Sequence, residues 1–475
     1  MTRFNQAVRP TTVTNLAGGE AHAQSPALEL VSLLLTSFAA DQYYRTASES
    51  FERLKELVKA NHKEFAAKAA VYARTVYGMR SISHVCASEL ARHIAGETWA
   101  KAFYAKVIDR PDDMTEILAY HKANNGKITA AMKKGFADAF AKFDKYQLSK
   151  YRGENKDVKL VDVVNLVRPR PTEKNKEALT ALVKGELKST ETWETKMTQA
   201  GQQAETEEEK QELNKEVWTE LVKTKKIGYF ALLRNLRNIL EQAPEIVPQA
   251  VERLTEERAI RNSKVLPFRF LTAFEEIMKV PSTPASRAVI VGLTKAVDIS
   301  TANVPALDGD TLVVLDVSGS MQGKPAQIGS LFAAVLIKAN NADFMVFNDR
   351  AQYMAINPAD TTLTIANSIR FSSGGTDFHS IFKAAARKYD RIIILSDMQG
   401  WVGHYTPKAE LAEYKQRTKA SPKIYSFDLS SYGSMQFPEK DVFALAGFSE
   451  KIFDVMKLME SDKDALVKEI NKLEW

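Results

Sequence analysis

Apolar residues recur at three-, four- and seven-residue spacing through most of the first 300 positions. The clearest stripes lie at 26–40, 62–77, 127–143, 227–241 and 267–279, and each predicts an amphipathic helix. Start signals accompany several of them. Ser25-Pro26 sets a cap before proline at a first helical position, and Thr206-Glu-Glu-Glu209 fits a capping box. The pattern yields roughly fifteen short helices in series, joined by polar or proline-containing turns and without strands. With no strict sequence period, that order suits an α-solenoid of stacked helix pairs better than one bundle. Segment 185–225, dense in Lys and Glu, reads as a solvated helical excursion held by i,i+4 pairs.

The pattern changes near residue 305. TLVVLDVS (311–318), DFMVFND (343–349), RIIILSD (391–397) and PKIYSFDLS (422–430) are short β-branched or aromatic runs, most of them continuous. Such runs predict strands buried on both faces of a parallel sheet. Amphipathic helices at 325–339, 379–389 and 407–419 lie between them, and a last helix is expected at roughly 452–472. Alternating strand and helix defines a doubly wound α/β domain. The expectation is therefore a multidomain chain: a helical solenoid over 1–300 and an α/β domain over 301–475, with a linker in STANVPALDGD at 300–310.

Composition alters this picture in three places. The 475 residues, 45% hydrophobic and 26% charged, exclude a disordered or collagenous chain and exceed what one core serves. The single cysteine, Cys86, rules out an internal disulfide and cysteine-based zinc sites, and its apolar helical context makes it a buried small hydrophobe. No secretory segment or membrane span is evident, which points to a cytoplasmic protein. The net charge of +6 is uneven. Residues 301–475 hold 19 Lys+Arg and 21 Asp+Glu, the first 300 hold 46 and 38, and 101–185 alone hold 18 and 11.

The most specific chemical motif is Asp316-Val-Ser318-Gly-Ser320, at the carboxyl end of the first α/β strand, where open parallel sheets bind ligands. Gly374-Gly375-Thr376-Asp377 and Asp397 fall at later positions on the same rim. Carboxylates and hydroxyls are hard oxygen donors suited to Mg²⁺ or a similar ion. In this order they resemble the metal-ion-dependent adhesion site of von Willebrand factor A domains. The resemblance implies that Ser318, Ser320 and Thr376 ligate the metal directly, while Asp316 and Asp397 act mainly through metal-bound waters. It also implies an incomplete coordination shell that a partner carboxylate fills. Phosphatase chemistry is disfavoured, because Ser318 stands where a second acid would be needed.

A second cluster is basic. Lys145, Lys150, Arg152, Lys156, Lys159, Arg168 and Arg170 lie within 26 positions, with Tyr146 and Tyr151 interleaved and Lys133 and Lys134 on the preceding helix. Such cations neutralise phosphates, and the aromatic faces stack on unpaired bases. Arg80 and His84, in GMRSISH, are further candidates to line a cavity, with His84 equally suited to an inter-helix hydrogen bond. Arg234 and Asn235 read as packing and polar contacts between repeats. Trp401 reads as a plug beside the metal site or an anchor for a partner.

Nearly the whole chain, segment 185–225 least, resembles the Ro 60 kDa autoantigen family, whose TROVE module is a ring of HEAT-like repeats closed against a von Willebrand factor A domain. Val13-Thr-Asn-Leu-Ala-Gly-Gly19, Ala231-Leu-Leu-Arg-Asn-Leu236, Leu266-Pro-Phe268, DVSGSM, GGTD and Ala446-Gly-Phe448 carry the likeness in order. It implies a likewise monomeric ring and a ribonucleoprotein component rather than an enzyme. Single-stranded ends of misfolded or immature RNAs would thread a basic central hole, and a Y RNA would bind the outer rim and could tether an exoribonuclease. Arg168 and Arg170 stand where the family has His and Lys, which keeps charge but changes residue type. Two other readings compete: an RNA-independent scaffold gripping acidic partner residues through the metal site, and a metal-dependent nuclease.

Overall fold

The helix starts realise their capping chemistry. Leu28 N–H donates to Ser25 Oγ (3.3 Å) before the helix Pro26–Thr36, and Glu209 N–H donates to Thr206 Oγ1 (3.2 Å) before Glu207–Lys223. The reciprocal carboxylate bond of that second cap goes to Glu205 N–H, one residue early. The computed structural model describes residues 12–23, 25–36, 47–188, 193–263, 265, 268–301, 307–357, 359–400, 402, 406–430, 432, 434–436, 442–446, 456 and 465–475. The chain forms two compact units. One comprises residues 1–99, 304–360 and 364–475; the other comprises 100–303 with 361–363.

Nine strands are described: β1 (Thr12–Thr14), β2 (Glu20–Ala23), β3 (Thr311–Asp316), β4 (Asp343–Phe347), β5 (Ala351–Tyr353), β6 (Arg391–Ser396), β7 (Lys423–Asp428), β8 (Ser434–Met435) and β9 (Val442–Ala446). Six of them form one sheet in the order β5-β4-β3-β6-β7-β9, parallel except for the antiparallel edge strand β5. Every residue of β3 and β6 is buried, as continuous apolar runs require when both faces are covered. Leu312, Val314, Ile392, Ile394 and Ile424 share one core with Phe347 and Phe378, whose ring centroids lie 5.1 Å apart. Each such aliphatic side chain removed from water contributes about 1.5–3 kcal/mol. The chain leaves β3 outward to β4 and β5, then returns to β6 on β3's other side. The reversal of strand order thus falls between β3 and β6.

The expectation of a strand-free first 300 residues is corrected at its start. β1 and β2 form an antiparallel hairpin, and β2 pairs with β8 (His22↔Met435, Ala23↔Ser434) in a separate three-stranded sheet. The segment Glu-Ala-His-Ala has no β-branched residue, so its strand comes from tertiary pairing rather than local preference. In the same unit, the helices Pro26–Thr36, Ala47–Ala60, Lys63–Thr75 and Ser81–Leu90 pack together. Arg53 clamps Glu29 there with two 2.7 Å bonds, Nε to Oε1 and Nη2 to Oε2. The helix expected at 452–472 is described as Ala465–Asn471, with its start largely outside the described residues.

The second unit is helical throughout its described length. Ala100–Val107 packs on Ala130–Ala139, where Gly135 allows close approach: a Cβ there would lie 2.4 Å from Tyr104 Cβ and 2.6 Å from Lys101 O. Segment 185–225 is not wholly solvated. Its helices Trp193–Gln203 and Glu207–Lys223 pair through stacked Trp193 and Trp218 (5.8 Å), and the buried Trp218 donates Nε1–H to Gln242 Oε1 at 2.8 Å. Tyr229–Gln242 packs against Val247–Leu254 and Phe268–Met278, and Pro284–Thr301 packs against those last two.

Candidate metal centre and nucleic-acid interface

The strand ends next to the reversal point bring the first motif together. Asp316 closes β3 and Asp397 follows β6, while Ser318, Ser320 and Thr376 are buried with them in the same unit. Asp316 Oδ1 accepts Ser318 N–H (2.9 Å), and Ser318 Oγ lies 3.3 Å from Ser320 Oγ. Asp316 Oδ2 accepts the Ser396 hydroxyl at 2.6 Å, and Ser396 Oγ in turn accepts Met398 N–H at 3.0 Å. That relay fixes the direction of the Ser396 proton. Met398 sits in left-handed backbone space (φ 59°), which costs a non-glycine residue about 1–3 kcal/mol and is sustained only by surrounding contacts.

The electrostatics of the cluster are unfavourable as it stands. Asp316 and Asp397 are both 0% exposed, and burial pushes both carboxyls up, with the Asp316 charge adding to the rise at Asp397. Asp397 Oδ2 is buried without a hydrogen-bond partner. An orphaned carboxylate oxygen beside a second carboxylate and the Ser318 and Ser320 hydroxyls fits a hard divalent cation; among the described residues no side-chain hydrogen bond joins Thr376 to them, although it is buried in the same unit. Among the described residues there is no group of three or more His, Cys, Asp or Glu that suits a metal, so the donor set mixes carboxylate and hydroxyl.

The glycine loop packs closely on the turn after β4, and Gly319 N–H donates to Gly374 O at 3.4 Å. A Cβ on Gly374 would lie 2.8 Å from Asp349 Oδ2 and 2.9 Å from Asn348 Nδ2, while Gly375 N–H donates to Asp349 Oδ1 at 2.8 Å. Asp377 caps the helix Phe378–Ala384 by accepting His379 N–H (2.9 Å), and His379 Nδ1 lies 2.8 Å from Glu410 Oε2. His379 is thereby engaged by Glu410. Trp401 lies outside the described residues, as do Leu266 and Gly447-Phe448 of the quoted motifs.

Two contributions went unread in the sequence. Asp428 closes β7 with the same turn, accepting Ser430 N–H at 3.0 Å, and its charge also raises Asp397. The repeated Asp-x-Ser of 428–430 was the available signal. The other contribution is the N-terminal turn. Asn15 Nδ2 donates to Gly400 O (2.5 Å), and Leu16 N–H donates to Gln399 Oε1 (2.8 Å), so the hairpin braces the loop that carries Asp397. Asn15 Oδ1 also accepts Ala17 N–H (3.1 Å) and Gly19 N–H (2.9 Å), which gives the VTNLAGG motif its local role.

The basic candidates divide between the units. Arg80 and His84 lie in the first, where His84 is buried and both have polar or electrostatic partners. The other nine lie in the second. Lys133 and Lys134 are exposed on Ala130–Ala139, which packs on Leu160–Val167. The helices Lys145–Lys150 and Leu160–Val167 both pack on Lys176–Lys184. Lys145, Arg168 and Arg170 are exposed and have no ion-pair partner among the described residues, nor have Lys133, Lys134 and Lys159. Lys156 is committed to Glu116, and Arg152 to Leu187 O and Glu154. Lys150 Nζ lies over Tyr146 (5.7 Å) and Tyr151 (5.6 Å), and Arg110 covers Tyr151 at 4.3 Å. Arg110 went unread because it lies 35 positions before the basic run that starts at Lys145. Tyr146 is half exposed, its face in part open to a base.

A helical region joined to a doubly wound domain with this rim defines an architecture shared with known proteins. The chain belongs to the TROVE domain family: that domain's model matches residues 30–214 and 184–303, and the Ro60 vWA domain matches 307–459. The crystal structure of the Deinococcus radiodurans RO (RSR) protein shares the fold, with a TM-score of 0.59 at 19% identity over 90% of this chain and 97% of that one. Telomerase protein component 1 of Mus musculus is 22% identical over 363 residues, covering 56% of this chain. The Rattus norvegicus protein of that name is 21% identical over 359. The chain spans only 13% of the length of either.

Proposed function

We propose that this protein is an RNA-binding ribonucleoprotein component that captures single-stranded ends of misfolded or immature RNAs in a basic central hole. It holds a Y RNA on its outer surface and serves RNA quality control or maturation. Membership of the TROVE family supports the RNA-binding part, and that family's members are RNA-binding proteins rather than enzymes. The observation that carries the reading is the set of exposed cations at Lys133, Lys134, Lys145, Arg168 and Arg170, without ion-pair partners among the described residues, in the unit that also holds the half-exposed Tyr146 under Lys150. An exoribonuclease tethered through the Y RNA would supply cleavage. The cytoplasm is the proposed site of action, and no described helix is long and apolar enough to cross a membrane.

The test is a gel shift with RNA bearing a single-stranded 3′ tail, repeated across a salt series. Affinity should fall steeply with salt, and charge reversal at Lys145, Lys150, Arg168 and Arg170 should flatten the dependence by about 0.7 per lost phosphate contact. Binding that ignores salt, or survives all four reversals, would sink the proposal.

The orphaned Asp397 oxygen favours a second role for the other domain. Asp316, Ser318, Ser320, Thr376 and Asp397 would hold a divalent cation, most suitably Mg²⁺. When bound, the ion supplies a positive centre that an acidic partner side chain can complete. The chain's own residues preorganise that centre: Ser396 orients Asp316, and the Asn15 turn holds the loop after Asp397. On the competing scaffold reading, Asp316→Ala would release a protein partner while RNA binding, measured by the same gel shift, would be absent from the start.

A further inference from the structure

The seam between Tyr229–Gln242 and Phe268–Met278 opens into a cavity. Phe230, Leu233, Arg234 and Arg237 recur at i, i+3, i+4 and i+7 on one helix, and Arg269, Thr272, Ala273 and Glu276 repeat that spacing on the other. These are facing stripes, and in a closed seam they would be apolar. Here they line a cavity of about 220 Å³ floored by the buried Leu233, Leu236 and Ile277. A drug-sized pocket spans ~300–1,000 Å³, so this one is closer in scale to a single nucleotide unit.

Its charge is polarised. At one end Arg237 is neutralised by Glu241 (2.8 Å) and Glu276 (3.8 Å), and Glu276 also holds Lys279 (2.5 Å). At the other end the guanidiniums of Arg234 and Arg269 each lie 5.8 Å from the centroid of Phe230, which is 40% exposed. Arg234 has no acidic partner among the described residues, whereas Arg269 has a further polar, ring or electrostatic contact. Burial against the pocket wall lowers the Arg269 pKa, and the facing Arg234 charge lowers it further. Two like charges at the edge of one half-exposed aromatic ring, above an apolar floor, suit an anion with a flat apolar part.

We propose that this pocket binds one nucleotide of single-stranded RNA, with its phosphate between Arg234 and Arg269 and its base against Phe230 and the apolar floor. The proposal rests on the RNA-binding reading above and adds a site remote in sequence from the basic run at 133–170. Phe230 contributes stacking, which any base satisfies, so recognition here is tolerant of sequence. Arg234 and Arg269 contribute phosphate charge and planar contact, which lysine reproduces only in part.

The test uses the full-length protein and a fluorescein-labelled oligouridylate, about 10 nucleotides long, followed by anisotropy across a salt series. Phe230→Leu should weaken binding roughly 5–100-fold with the salt slope unchanged, the scale of one lost base stack. Arg234→Gln and Arg269→Gln should each weaken it and lower the slope by about 0.7, and Arg234→Lys should restore the slope but not the full affinity. Phe230 and Arg234 are exposed, and matching circular dichroism melts will verify that each variant is folded. If the wild-type protein binds the oligonucleotide and all four variants bind it within twofold of wild type, the pocket proposal is wrong and the RNA-binding reading stands. A wild type that binds neither the oligonucleotide nor the tailed RNA overturns both. A phosphotyrosine peptide that displaces the oligonucleotide from wild type, and is itself lost in Phe230→Leu, would instead assign the pocket to a protein ligand.

Discussion

At the scale of single residues, burial decides which side chains carry chemistry. Cys86 is fully buried, and burial pushes its thiol up to about 12. It should therefore resist a thiol-specific reagent in the native protein and react at the rate of unfolding; fast labelling under native conditions would contradict that. Asp397 is equally buried but carries an orphaned oxygen and faces Asp316, so its charged form is a native-state burden that a cation would relieve. Because such an ion binds the folded state alone, a hundredfold excess over its Kd should stabilise the protein by about 2.7 kcal/mol, read as a rise in Tm with Mg²⁺ and a fall with chelator. Asp397→Asn removes the charge, and should raise the Tm of the metal-free protein while abolishing the Mg²⁺ response. A wild type indifferent to Mg²⁺, Mn²⁺ and chelator would rule out the metal reading.

Elements were legible where their signal was local. β3, β4, β6 and β7 follow the continuous β-branched runs to within two residues, because burial on both faces leaves no polar alternation to confuse with a helix. The Asp and Ser residues of the rim followed, since strand ends in a parallel sheet share one edge. The hairpin was not legible: its two strands span seven residues, and its partners are β8 and a loop 383–385 positions away. Nothing within a helical-length window records such a contact. The hairpin nevertheless depends on Asn15, which makes three hydrogen bonds in a buried setting. Asn15→Ala leaves the Gly400 carbonyl and two N–H groups without that partner, and should cost about 1–3 kcal/mol in urea denaturation. Asn15→Asp keeps the two accepted bonds but sets a buried carboxylate oxygen against the Gly400 carbonyl, so it should cost at least as much as alanine; equal stability of wild type and Asn15→Ala would show that the turn does not brace the loop.

For the whole molecule, sequence order and compactness diverge. The family matches change near residue 305, yet residues 1–99 pack in one compact unit with the α/β segment. The last residues help to explain this. Trp475 stacks on Trp99 (5.3 Å, 11° between planes) and donates Nε1–H to Glu64 Oε1 (2.9 Å), while Lys68 Nζ donates to Asn471 O (3.0 Å). The Trp475 bond is also the main reason the Glu64 carboxyl lies below its usual range. An aromatic pair adds about 0.5–1.5 kcal/mol to its burial, so Trp475→Ala should destabilise its own unit measurably although it lies far along the chain from most of it. Two compact units predict two calorimetric transitions, each with its own sensitivities. Trp475→Ala and Asn15→Ala should lower the same one. Gly135→Val forces a branched side chain into Tyr104 and the Lys101 carbonyl, and should lower the other by the equivalent of about 1–3 kcal/mol. Mutations far apart and without shared partners add, so the double variant Trp475→Ala with Gly135→Val should show both shifts undiminished. If Trp475→Ala moved the transition that Gly135→Val moves, and left the Asn15-sensitive one in place, the grouping of residues 1–99 with the α/β segment would be wrong.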